Sequence, residues 1–192
     1  MRIFRILLLV SFLFAGLTNC IGQVNPTITE LRDTSEHVNL QSFRQTFWNN
    51  LPQPIGWTND FEGLFTPEQK KLLNDSISAF ENETNIQICI VTLDTIYTTK
   101  QKFNELALHI ANVWGVGHGD KNNGVLICIS AGYRMMRICN GKGIEKVLTN
   151  DETKKIITDH VVPSFRKANY FEGTSEGLNA LIKILRERAK DI

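Results

Sequence analysis

Three groups of polar residues in the sequence have the side-chain types that bind ions. In chain order they are Asn59, Asp60 and Glu62; the loop from His118 to Asn123; and Gly141, Lys142, Gly143 and Glu145. Carboxylate, amide and carbonyl oxygens are the ligands that hard divalent cations such as calcium take. The alternative is turn chemistry, because Asp and Asn side chains also hydrogen-bond their own backbone.

The loop group contains the spacing that most resembles a metal site. Asp120 and Asn122 alternate as the ligands of a calcium loop do, but no glutamate stands at the twelfth position, so the EF-hand pattern is absent. His118 is the one histidine in a loop with carboxylates, and a lone loop histidine is usually solvated. No motif for a serine hydrolase, a P-loop or a zinc protease is present. Spacing alone leaves metal binding and turn chemistry both open.

The elements that must position these residues follow from hydrophobic spacing and cap signals. Thr66 with Gln69, and Thr149 with Glu152, are capping boxes that each begin a helix. The predicted helices are 66–83, 101–114, 149–167 (interrupted near Pro163) and 171–188, and the strands are 86–93, 125–130 and 134–139. The last two strands form a hairpin. This order predicts an α/β fold with a small mixed sheet flanked by helices on both faces.

The N-terminus predicts a secretory signal peptide over residues 1–22. Arg2 and Arg5 precede an apolar run over residues 6–15. Two cleavage sites compete: lipidation at Cys20, which a lipobox-like segment favours, or ordinary cleavage after Gly22. An uncleaved anchor is the remaining alternative. We therefore expect an exported protein of the periplasm or envelope, with a lipid anchor if Cys20 is modified.

The rest of the chain predicts a polar arm over residues 23–50 and one domain over residues 51–192. Removing Arg2 and Arg5 from the 21 basic residues leaves 19 against 20 acidic ones, so no basic surface favours nucleic acid. No second apolar segment is long enough to cross a membrane. Cys89, Cys128 and Cys139 lie in apolar runs, where buried free thiols are typical.

Six segments follow one another between about residues 52 and 187: Pro52 to Asp60, Leu64 to Gln69, Thr84 to Ile88, Trp114 to Leu126, Arg134 to Glu145, and Val162 to Gly173. The fourth segment contains Trp-Gly-Val-Gly and Asn-Gly-Val-Leu pieces, which are similar to a W-G-I-G…N-G-V-L pattern. Together the six segments resemble the TPM domain family of bacterial envelope and thylakoid-lumen proteins.

This resemblance implies a three-layer α/β/α sandwich with bound divalent cations, calcium being expected. It places Asp60, Asn123 and Glu145 in one metal site, with Asp120 and Asn122 as further ligands. Asn122 stands where the family often has Asp, which removes one charge.

The resemblance also implies a choice of functions. The main expectation is a calcium-binding module that assists an envelope or membrane-associated complex. One alternative is an acid phosphatase acting on phosphomonoesters, in which Arg134, Arg137 or Lys142 would neutralise phosphate charge. The other alternative is an inert structural scaffold.

Overall fold

A computed structural model describes residues 28–117, 119 and 122–188, and side-chain surroundings are described from residue 39 onward. Residues from His37 onward form one compact unit. The helices are α1 Ile28–Asn49, α2 Pro67–Thr84, α3 Phe103–Val113, α4 Asn150–Ile156, α5 Val162–Phe165 and α6 Tyr170–Arg188. The strands are β1 Thr58–Asp60, β2 Gln87–Thr92, β3 Gly124–Ser130 and β4 Met135–Asn140. A 3₁₀ turn spans Ile144–Lys146, and a π-helical turn spans Ile157–Val161.

The four strands form one mixed sheet in the order β1-β2-β3-β4. The β1–β2 and β2–β3 pairs are parallel, and β3–β4 is antiparallel. One apolar cluster joins α2, α4 and α6 to one face of the sheet, and a second joins α1 and α3 to the other. The predicted α/β sandwich is therefore confirmed.

The unbroken apolar runs of β2 and β3 follow from burial on both faces of the sheet. Ile88 and Ile90 face the first cluster, while Cys89 and Val91 face the second. All seven residues of β3 are buried. A strand covered by helices on both sides has no solvated face, so its sequence does not alternate.

Two parts of the structure differ from the sequence-based expectation. Strand β1 was not predicted, because three residues reading Thr-Asn-Asp carry no apolar pattern. The segment expected to be a tether or a loosely docked arm, with a short helix over 41–48, instead forms one helix over residues 28–49 whose last turns are docked. Trp48 stacks on His109 at 4.0 Å between ring centroids, and Arg44 donates to the Thr95 carbonyl at 2.8 Å.

The helix starts agree with the sequence. Both capping boxes are formed, at Thr66 with Gln69 and at Thr149 with Glu152. The expected interruption near Pro163 is present as the π-helical turn that separates α4 from α5. A π-helical turn inserts one extra residue and often marks a functional position.

Glu152 makes the stability of the α4–α6 contact depend on pH. It accepts from the Arg188 guanidinium at 2.8 Å, and this contact with the cap hydrogen bonds lowers its pKa from 4.5 to about 2. A carboxyl group whose pKa is depressed in the folded state stabilises the fold at pH values above its unfolded-state pKa. This stabilisation is lost as the pH falls through the folded-state pKa. We expect wild type to lose more unfolding free energy than Glu152→Gln when pH falls from 4.5 to 2 in urea titrations. Gln retains the capping box, so equal pH dependence would contradict this role.

Candidate functional site

The sheet topology gives the polar clusters two separate locations. Strands β1, β2 and β3 are parallel, so their last residues lie along one side of the sheet, here named the carboxyl edge; these residues are Asp60, Thr92 and Ser130. Strand β4 runs back, so residues that follow Asn140 lie at the opposite edge, where β3 begins at Gly124. The two edges are about 20 Å apart along β3.

Asp60 organises the loop that follows β1 at the carboxyl edge. Its Oδ1 accepts from the Leu64 N–H at 3.0 Å, and its Oδ2 accepts from the Phe65 N–H at 2.9 Å. The Thr92 hydroxyl, from the neighbouring strand, also donates to Oδ1. The carboxylate therefore fixes the chain between β1 and α2 and ties it to β2.

Glu62 ties the same loop to the β3–β4 turn. Its two carboxylate oxygens accept from the Ala131 and Gly132 N–H groups, each at 2.8 Å. Burial raises its pKa, and the charges of Asp94 and Asp60 raise it further, against the opposing effect of the two N–H donors. The sequence grouped Glu62 with Asp60 but gave no sign that it would hold a turn about 70 residues away.

Asn122, Asn123 and Glu145 lie together at the opposite edge. The Gly143 N–H donates to the Asn122 carbonyl at 3.0 Å, and the Glu145 N–H donates to the Gly141 carbonyl at 3.0 Å. Buried Asn123 donates its side-chain amide to the Asn85 carbonyl at 2.5 Å. The structure thus brings the end of the loop against the turn after β4. Asp120, predicted to share this site, lies outside the described residues, as does His118.

The structure separates Asp60 from Asn123 and Glu145, which the family resemblance places in one cation site. Asp60 ends β1 at the carboxyl edge, whereas Asn123 precedes β3 and Glu145 follows β4 at the opposite edge. The length of β3 separates them. A cation held by one group of ligands cannot be held by the other, because calcium–oxygen distances are only about 2.3–2.6 Å.

The three basic residues predicted to bind phosphate are also separated. Arg134 lies in the turn before β4, on the carboxyl-edge side, and has a left-handed backbone with φ 53°. Arg137 lies within β4, opposite Cys128. Lys142 lies in the turn after β4, at the opposite edge. They do not form one anion site.

Glycines at the opposite edge allow two backbone segments to touch. Gly117 has φ 118°, and a Cβ there would lie 2.7 Å from the Gly124 nitrogen. A Cβ on Gly124 would overlap the Val116 carbonyl, and one on Gly141 would overlap the Asn122 carbonyl. These contacts give a physical reason for glycine in the Trp-Gly-Val-Gly and Asn-Gly segments.

Other predicted features have the following places. Among the described residues, no group of three or more His, Cys, Asp or Glu side chains is arranged to hold a metal ion. Cys89, Cys128 and Cys139 are buried free thiols, and burial raises the pKa of Cys89 to about 12.

No helix in the described part of the chain has the length and apolarity to cross a membrane. The predicted signal peptide, with Cys20, lies outside that part.

Comparisons with known proteins agree with this fold. The sequence model of the TPM domain family matches residues 58–184. The solution NMR structure of the N-terminal domain of a P. gingivalis protein is 30% identical, covers 70% of this chain and 84% of its own, and superposes with a TM-score of 0.63. The NMR structure of the BA42 protein from the psychrophilic bacterium Bizionia argentinensis is 22% identical, covers 66% and 85%, and has a TM-score of 0.57.

No protein of curated function matches the chain. The family match covers more than half of its length and includes every strand of the sheet. The chain belongs to the TPM domain family.

Proposed function

We propose that this TPM domain is a divalent-cation-binding module whose cation site lies at the opposite edge of the sheet. The observation that carries the proposal is the contact between two distant segments, in which the Gly143 N–H donates to the Asn122 carbonyl at 3.0 Å. The Asn122 and Asn123 side chains, just before β3, and the exposed Glu145 carboxylate, just after β4, then lie at the same end of the sheet. This donor chemistry fits a hard cation such as calcium.

The module would assist a complex at the cell envelope. Support for this role comes from the sequence: the signal-like N-terminus indicates export, and Cys20 would provide a lipid anchor if modified. A bound cation would add to the contacts that already hold this loop, in which the Gly117 N–H donates to Gln87 Oε1 at 2.6 Å and the Gly143 N–H donates to the Asn122 carbonyl at 3.0 Å. The cation would then be a structural element of the partner-binding form.

Calcium titration of the chain from residue 23 onward tests the cation site. We expect calcium to raise the melting temperature of wild type, since a ligand that binds only the native state stabilises it. Glu145→Gln should reduce that rise. Glu105→Gln, an exposed glutamate near the start of α3, is the matched control and should respond like wild type. No response in wild type, or an equal response in Glu145→Gln, would reject the proposal.

A phosphatase at the carboxyl edge is the second candidate. Its support is the grouping of Glu62 with Asp60 and Asp94 at this edge, where burial raises the pKa of Glu62, since a carboxyl group of raised pKa is suited to act as a general acid. Hydrolysis of p-nitrophenyl phosphate by wild type, reduced in a folded Glu62→Gln variant, would favour this candidate. Absence of hydrolysis with calcium, magnesium, manganese and zinc would remove it.

A further inference from the structure

A cavity of about 600 Å³ opens beside the first residues of β4. Its walls come from the turn before β4, the π-helical turn, α5 and the beginning of α6, with Asn104 of α3 completing the lining. Met135, Met136, Val161 and Phe165 give it an apolar lining, and methionine adapts readily to different partners. The volume lies within the usual range of ligand pockets.

The cavity is positively charged. Arg134 and Arg166 are among its lining residues, and no acidic residue is. Within the described part of the chain, no ion pair or side-chain hydrogen bond involves either guanidinium. Both side chains are exposed, so they are available to an anionic group that enters the cavity.

The backbone around the cavity is held in uncommon conformations. Arg134 and Ala168 both have left-handed backbones, with φ 53° and 60°, although neither is Gly or Asn. The π-helical turn Ile157–Val161 contributes two further lining residues. Such conformations cost free energy and concentrate at functional positions. A glycine would relieve the strain at residue 134 but would remove the charge.

The wall formed by α5 and the π-helical turn is packed tightly on α6. A Cβ on Gly173 would lie 2.6 Å from Phe165 Cδ1 and 2.8 Å from the Val161 carbonyl oxygen, and one on Gly177 would overlap a Val161 methyl group. Helix α6 therefore approaches this wall as closely as its backbone permits. The cavity is a preformed feature of the packing.

Strand β4 presents a free edge at the same place. It is the outermost strand of the sheet on that side. The hydrogen bond from the Gly141 N–H to the Gly124 carbonyl, at 2.8 Å, shows which alternate residues of β4 bond to β3. Antiparallel pairing alternates, so Met136 and Ile138 direct their backbone N–H and C=O groups away from β3. In the described residues, no backbone hydrogen bond from outside the sheet reaches either residue. An exposed strand edge is a template for pairing with another chain.

We propose that this edge and cavity bind the C-terminal segment of a partner polypeptide as an added antiparallel strand. A partner strand that runs antiparallel to β4 would end beside the first residues of β4. Its terminal carboxylate would then lie next to Arg134 and Arg166. Its backbone would pair with Met136 and Ile138, and its apolar side chains would enter the cavity beside Phe165. Strand addition of this kind obtains affinity from main-chain hydrogen bonds and specificity from side-chain pockets.

The test is selection from a library of random nine-residue peptides displayed with free C-termini, which are long enough to pair along the six residues of β4. Selected peptides, resynthesised, should bind wild type and should lose about tenfold or more in affinity when their C-terminus is amidated. The Arg134→Gly variant, and Arg134→Gly with Arg166→Gln, should show a similar loss. Arg134→Gly should also melt at a higher temperature than wild type, which separates lost binding from lost folding.

Lys167→Gln is the matched control, because it removes an exposed positive charge next to Arg166 that does not line the cavity. It should bind the peptides like wild type and melt at the same temperature. Failure to enrich any peptide, or equal binding of amidated peptides, would overturn the proposal. So would displacement of selected peptides by dodecanoate at equal concentration, because that result would assign the cavity to a fatty acid.

Discussion

Gly124→Ala is expected to lower the free energy of unfolding by about 4 kcal/mol or more, because the added Cβ would overlap backbone atoms. The atoms in its way are the Val116 carbonyl and the Gly117 nitrogen, and neither can move by a side-chain rotation. Relief requires separating the loop from the beginning of β3, where Gly124 is also paired with Gln87. Urea denaturation followed by tryptophan fluorescence measures the effect.

Gly56→Ala is the control for this prediction. Gly56 has an ordinary backbone conformation, and the nearest atom to an added Cβ is the Asn74 amide at 4.0 Å. That variant should match wild type or gain about 0.5 kcal/mol from lower entropy of the unfolded chain. If Gly124→Ala proves as stable as Gly56→Ala, the loop does not cross β3 as closely as the structure shows.

Most of the fold was predictable because its signals are local. A capping box requires only two residues three positions apart, and Thr66 with Gln69 provided one. The buried strands were predictable from their apolar runs, since β2 and β3 are covered on both faces. Strand β1 has neither signal: its pairing with β2 depends on partners about 30 residues away.

The location of the candidate site was less predictable, although its residue types were recognised. The hairpin of β3 and β4 implied that Glu145 returns to the side where β3 begins. The position of Asp60 relative to that side depends on β1, which its own sequence does not reveal. Without β1, residue types and order along the chain could not separate the two sheet edges. Docking of α1 was hidden in the same way, because Trp48 and His109 are 61 residues apart.

Asp60→Ala is expected to lower the free energy of unfolding by about 2–4 kcal/mol, although the family resemblance places Asp60 among the metal ligands. The half-buried carboxylate accepts from two backbone N–H groups and from the Thr92 hydroxyl. Alanine would leave these donors without their acceptor and release the loop that precedes α2. Urea denaturation without added metal ions measures this loss, since the structural role requires no cation.

Two variants separate this role from other effects of removing an aspartate. Asp60→Asn retains one acceptor oxygen in the same place and should lose less than alanine does. Asp75→Ala removes an aspartate whose salt bridge to Lys71 is exposed, with side-chain exposure of 59% for Asp75, and should change stability by about 0.5 kcal/mol or less. An Asp60→Ala protein as stable as Asp75→Ala would show that the loop does not depend on the carboxylate. The expected large loss would mean that activity missing from Asp60→Ala reports the fold of the loop. Catalysis at the carboxyl edge must then be tested in a Glu62→Gln variant whose urea denaturation matches that of wild type, because Glu62 also holds the β3–β4 turn.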